Sequence, residues 1–245
     1  IVLINVFGFA VASACCILSF LYMADEHSYD RHFSNADRIA RICLDRVYPE
    51  RNVLWAPVPP AVRDGLLAEF PEVEAATRVR KEEFAVSSER VKGFNELIIA
   101  VDPDFFTVFD HKFIKGNSTA MNQPAAVVIT QRMAEKYFES EDAIGKSLTV
   151  GEAGLFNVAG VIANPPITSH LRYDIIIGLS FDRMTNFNVW GNNFGFYTYA
   201  LLNENASMEA LNDKLPAMSK KYLAQSETEE AYNKWRAEGN DYRFF

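Results

Sequence analysis

No charged residue occurs before Asp25, and all 24 basic and 32 acidic side chains of this 245-residue chain lie from that position onward. Residues 1–23 include twelve Val, Leu, Ile or Phe. A helix of that length rises roughly 34 Å, against about 30 Å for a bilayer's hydrocarbon core. At about −0.4 kcal/mol per large apolar residue, insertion gains roughly 5 kcal/mol before polar residues are counted. Asn5, Ser13 and Ser19 offset part of this, and no charge opposes it. Gly8, Ala10, Ala12 and Ala14 supply small residues for close packing against other membrane helices, and Tyr22 suits the interface. The segment is expected to be an uncleaved transmembrane helix over residues 1–24.

Two rivals are weaker. Ala12-Ser13-Ala14 has the look of a signal-peptidase site, but the apolar run continues past it and no basic region precedes it. A buried core helix is the other rival, but this run is apolar on all sides, with no polar stripe, and is longer than a core helix usually needs. The acidic exit flank, Asp25-Glu26, favours the non-cytoplasmic side.

About 220 residues remain for one large domain or two small ones. Half the chain is apolar, which excludes disorder. The net charge of −8 argues against nucleic acid and against an anionic membrane surface as partners. Cys15 and Cys16 lie in the apolar run and Cys43 stands alone, so no disulfide forms within the soluble part.

Along that part, "SNADRIARICLDRVY" reads as a short helix leading into a strand at about 39–48. "VPPAVRDGLLAEFPEV" reads as a helix with Val58, Val62, Leu66 and Phe70 on one stripe. "EVEAATRVR" alternates as a strand, with Val73, Ala75, Thr77 and Val79 on one face and Glu72, Glu74, Arg78 and Arg80 on the other. Six short strands follow: "FAVSSE", "FNELIIAV", "AAVVIT", "KSLTV", "LFNVAGVIA" and "YDIIIGL". The helix "QRMAEKYF", capped by Thr130, interrupts them. The chain then returns to strand ("FYTYALL"), helix (Met208, Leu211, Leu215, Met218 and Tyr222 on one stripe, bent at Pro216), a further helix ("ETEEAYNKWRAE") and strand ("DYRFF"). The predicted class is α+β: two strand-helix-strand units forming a split βαβ layer around a β-rich insertion.

Motifs for chemistry are weak. Gly145-Lys146-Ser147 has the tail of a phosphate loop, but Ser140 stands where the first Gly must be. His27 and His32, near Glu26 and Asp30, match no metal spacing, and His111 and His170 are isolated in the chain. The pairs Glu82/Glu83 and Asp102/Asp104 are ordinary in an acidic chain. The sequons at Asn117 and Asn205 are short enough to arise by chance, and no nucleophile elbow is present. No catalytic, cofactor-binding or metal residue is therefore assigned, and no enzyme activity is expected. The stretch "MTNFNVWGNNFGFYTY" suits either a binding surface or, more commonly, a loop packing its rings beneath itself.

Several stretches together resemble one family. "INVFGFAVASACCILSFLYMADEHSYDRHFSNADRIARI", "DPDFFTVFDHKFIKGN", "AAVVITQRMAEKYFESEDAIGKSLTV", "FNVAGVIANPPITSHLRYDIII" and "FYTYALLNENAS" are similar, in order, to signature stretches of FtsX-like ABC transporter permeases with a MacB-type periplasmic core domain. The resemblance implies a transmembrane helix (1–24), a stalk (25–35), a porter-like subdomain (36–80 and 191–245) and an inserted Sabre-like β-rich subdomain (81–190). It implies a chain at the bacterial inner membrane with its soluble domain outside the cytoplasm. It also implies further membrane helices, so that the chain is a fragment. The implied partners are a separate ABC ATPase subunit, a second permease copy in a dimer, membrane lipid, and a periplasmic adaptor or outer-membrane partner. The implied work is mechanotransmission: ATP-driven motion carried to the periplasm to export or release a substrate. The alternatives are the extracytoplasmic ligand-sensing domain of a receptor and a membrane-anchored hydrolase, the latter disfavoured by the missing catalytic motif. The connector "ADEHSYDRHFSNADRIARI" contains no Gly or Pro and is expected to transmit helix motion stiffly.

Overall fold

A single unbroken helix, α1 (Val2–Ser28), carries the uncharged segment, and none of its residues is buried. It is long and apolar enough to cross a membrane. The computed structural model describes residues 2–139, 142–181, 187–190, 195–223 and 229–245.

After a short 3-10 turn at Ala36–Arg38 come β1 (Ile39–Ile42), β2 (Leu44–Val47), β3 (Asn52–Trp55), α2 (Val62–Glu69) and β4 (Val73–Ser87). The middle holds β5 (Phe94–Val101), α3 (Phe105–Val108), β6 (Phe113–Lys115), β7 (Ala126–Thr130), α4 (Gln131–Phe138), β8 (Ser147–Val150), β9 (Gly154–Ile162) and β10 (Ile175–Gly178). Then follow β11 (Tyr197–Leu202), α5 (Met208–Leu223), α6 (Glu229–Ala237) and β12 (Asp241–Phe244).

One sheet has the order β1-β11-β4-β5-β10-β7-β9-β6, with β8 bridging β4 and β9; a second runs β12-β2-β3. β11 lies between β1 and β4 and is antiparallel to both, so β1 and β4 are parallel and joined across α2. Only Cys43 separates β1 from β2, and it exchanges both backbone hydrogen bonds with Phe245, at 2.8 and 3.1 Å. β12 runs antiparallel to β2 beyond it. The two strand-helix-strand units therefore interlock, as expected of a split βαβ layer. Val62 and Leu66 of α2 and Leu211, Leu215 and Met218 of α5 pack on Ile42, Ala76, Ala200 and Leu202. In the β-rich region, Met133, Tyr137 and Phe138 of α4 cover Val127, Ile129, Ile175 and Ile177. Thr130 caps α4, its hydroxyl accepting the Met133 N–H. α5 runs through Pro216.

The sequence pattern is corrected at β4. "EVEAATRVR" and "FAVSSE" are one strand of 15 residues. The polar Lys81-Glu82-Glu83 interruption is tolerated because that stretch pairs with β5 while its side chains reach solvent. Arg78 does not face water. It is buried, donating from N, Nε and Nη2 to the buried Asp102 carboxylate at 2.7–2.9 Å and from Nη1 to the Pro60 carbonyl. The strand is covered on both faces here, and the ion pair with its full set of hydrogen bonds lets an arginine stand in a core.

Candidate functional site

A cluster of polar side chains lies where α1 meets the sheet. α1 ends at Ser28, and two residues later Asp30 adopts φ +59°. Asp tolerates this left-handed conformation far better than a bulky residue, so the chain turns here without Gly or Pro. The turn is fixed from outside. Asp30 N–H donates to the Thr168 carbonyl at 3.0 Å, and the carboxylate accepts from His170 N–H at 3.0 Å and from His170 Nδ1 at 2.7 Å. The carboxylate requires the proton on Nδ1, so in the neutral ring Nε2 accepts the Tyr199 hydroxyl at 2.8 Å. Burial pushes that hydroxyl above the ordinary tyrosine range, against the lowering effect of Arg41, and keeps it a donor. Asp30, His170 and Tyr199 thus form a clamp from the stalk, through the loop before β10, to β11.

Three residues on, Phe33 is only 4% exposed, its ring 5.0 Å from Phe109 and 5.6 Å from His111. Ser34 N–H donates to Asp110 Oδ1 at 2.8 Å. His111 Nδ1 donates to the Phe109 carbonyl at 2.6 Å, and Nε2 meets the Tyr173 hydroxyl. Phe33, Phe105 and Phe106 enclose its ring at 5.3–5.6 Å. This enclosure lowers its pKa to about 4, although the Phe109 carbonyl and Asp110 pull the other way. Partial burial lowers the pKa of His32 as well, with Asp30 and Asp110 opposing and His170 adding to the effect. Beside the clamp a cavity of about 380 Å3 is lined by Asp30, Phe33, Arg41, His170 and Tyr199 among others.

Two histidines that are isolated in the sequence, His111 and His170, are therefore brought together with the connector. His27 stays exposed on the last turn of α1. Asp30 pairs with His170, 140 residues away, and not with its sequence neighbours. Among the described residues no group of His, Cys, Asp or Glu side chains is arranged to hold a metal. Gly145-Lys146-Ser147 leads into β8 and not into a helix, and Gly145 N–H is committed to the Val158 carbonyl at 2.8 Å; Ser140 lies outside the described residues. Asn117 caps a 3-10 turn through Thr119 N–H, and Asn205 is exposed. Glu82 pairs with Arg80, while Asp102 and Asp104 both take part in the Arg63/Arg78 network. The described rings of the aromatic stretch pack inward: Trp190 stacks on Tyr222 at 4.1 Å, and Phe187 lies against Phe196 and under Arg78. Residues 182–186 and 191–194 of that region lie outside the description.

The model of the MacB-like periplasmic core domain matches residues 2–218. The chain belongs to that family. Its fold is similar to a domain assigned to a permease protein of Porphyromonas gingivalis (TM-score 0.73, 22% identity, covering 88% of this chain and 91% of that one). It is also similar to the periplasmic region of MacB from Actinobacillus actinomycetemcomitans (0.56, 13%, 84% and 87%). A third similar fold is the extracellular domain of the noncanonic ABC-type transporter YknZ from Gram-positive bacteria (0.50, 13%, 84% and 100%). No curated protein matches the chain. The family match places the chain with FtsX/MacB-like permeases, and its fold agrees: an apolar N-terminal helix followed by a MacB-like α+β domain.

Proposed function

We propose that this chain is the first membrane helix and extracytoplasmic domain of an inner-membrane ABC permease, and that it carries motion of α1 into the domain for export or release of a substrate. The observation that carries the reading is the Asp30–His170–Tyr199 clamp, which ties the end of α1 to β11 in the middle of the porter-like layer. From β11 the path continues through β4, which runs unbroken past residue 80. With residues 36–80 and 191–245 as the porter-like part and 81–190 as the Sabre-like insertion, β4 belongs to both and couples them. A separate ATPase supplies the energy and a second permease copy completes the dimer; an adaptor or outer-membrane partner receives the output.

The test uses the complete permease with its ATPase, measuring ATP hydrolysis and substrate release in the same membranes. Asp30→Ala removes a charge-assisted contact worth about 2 kcal/mol, which shifts a docked-to-undocked ratio by about thirtyfold. Hydrolysis is expected to persist while release falls. Unchanged release would remove the clamp from the mechanism and put the ligand-sensing reading, with the adjoining cavity as its site, ahead.

A further inference from the structure

The cavity beside the clamp has a chemistry of its own. β1 is an edge of the large sheet, and Ile39 and Arg41, two residues apart, share the face that lines the cavity. Arg41 stands opposite Tyr199 in the β1–β11 register. Much of the remaining wall is aromatic. The Phe109 ring lies 5.0 Å from Phe33 on the connector and 5.0 Å, edge-on, from Tyr199. At about 380 Å3 the space falls at the lower end of the roughly 300–1,000 Å3 typical of small-molecule sites.

Asp30 and Arg41 both line it, and their charges are disposed differently. The Asp30 carboxylate is committed: it accepts His170 N–H, His170 Nδ1–H and the Ser169 hydroxyl. Arg41 is exposed, and among the described residues no carboxylate pairs with it. Arg38, three residues earlier, is by contrast bound to Glu74 and to the Leu202 carbonyl. The order Arg41, Tyr199, His170, Asp30 sets two side chains between the guanidinium and the carboxylate. Two further acids adjoin lining residues without lining the cavity themselves. Asp110 accepts Ser34 N–H, and Asp37 is exposed on the 3-10 turn. The cavity thus offers a cation with donors to spare and an acid whose acceptors are already used. A guanidinium presents a planar fork of N–H donors that matches a carboxylate, and aromatic walls favour a ring that meets them edge-on or offset.

We propose that this cavity is a binding site for a small aromatic carboxylate, held with its carboxylate on the Arg41 guanidinium and its ring among Phe33, Phe109 and Tyr199. Such a ligand touches the connector and β1 together, so it also holds the connector on the sheet. The inference needs the cavity and not movement of α1, and so stands apart from the transmission reading.

The probe is a benzoate carrying a photoactivatable trifluoromethyldiazirine, used beside its uncharged benzamide and its cationic benzylamine counterparts. Each is photolysed with the full chain in phosphatidylcholine nanodiscs, and labelled segments are mapped by mass spectrometry. The expected result is saturable labelling by the benzoate at the segments carrying Phe33, Ile39 or Tyr199, suppressed by excess plain benzoate, with little from the other two. Arg41→Gln removes the fork and should raise the half-saturating concentration about tenfold or more. Ala36→Leu keeps Arg41 but fills part of the cavity, and should weaken labelling as well. Circular dichroism checks that both variants fold, and the comparison of the three probes on the unaltered chain needs neither. Equal labelling by benzoate and benzamide would overturn the proposal, as would preference for the benzylamine, which would give the site to Asp30. Full labelling of Ala36→Leu would place the probe on Arg41 outside the cavity and overturn it too. Absence of saturable labelling would leave the cavity to solvent.

Discussion

His111 shows how a single residue records the junction's packing. Unfolded, its imidazole titrates near 6.5; enclosed by Phe33, Phe105 and Phe106, it titrates at about 4. Between those values the unfolded chain binds a proton that the native chain refuses, so stability falls as pH falls through this window and is level above it. About 2 kcal/mol is expected to be lost between pH 7 and pH 5. His32, whose pKa is also lowered, contributes with the same sign. In urea titrations of the detergent-solubilised chain, His111→Gln should flatten most of this dependence. An equal drop in midpoint for both proteins would show that the ring is not held neutral by its surroundings. Nothing local in "VFDHKF" announces this role, because the enclosing Phe33 is 78 positions away. Arg78 was hidden for the same reason: alternation in "EVEAATRVR" assigns it to a wet face, and only Asp102, just past the end of the neighbouring strand β5, explains its burial.

At the scale of elements, the sequence was most readable where a local rule decides the outcome. The uncharged run gives α1; the Val62/Leu66 stripe gives α2; Thr130 starts α4. It was least readable where pairing decides. β3 and β6 are short strands held by partners, and β4 is continuous because β5 pairs beside its polar centre. The connector lies between these cases. Its lack of Gly and Pro was visible, but the turn at Asp30 was not, since His170 supplies its support. This places the boundary between α1 and the folded domain ahead of Asp30. A deletion beginning at Asp25 should remain folded and soluble without detergent, because it keeps Asp30 and Phe33. One beginning at Ala36 loses a buried phenylalanine, a truncation costing about 3–5 kcal/mol, together with the clamp. Thermal melting of the two products checks this. Equal stability would mean that residues 25–35 are not part of the domain's core, and aggregation of the longer product would mean that α1 is.

For the whole molecule, the question is whether force travels along the chain or across the clamp. Along the chain it would pass from Asn35 through the 3-10 turn into β1. Across the clamp it leaves at Asp30 and enters β11 through His170 and Tyr199, bypassing residues 31–38. A flexible Gly-Gly-Ser-Gly insert separates the two routes, and a short surface insert adds little loop-closure cost, a fraction of ~1 kcal/mol, so folding should survive at either position. Placed between Ser28 and Tyr29 it lies upstream of the clamp and slackens both routes. Placed between Asn35 and Ala36 it slackens only the chain route. In the complete permease with its ATPase, the first insert should leave hydrolysis intact and abolish release, and the second should retain most of the release. Equal loss from both would assign the force to the chain and reduce the clamp to a structural staple. Full release with both would mean that α1 does not drive the domain.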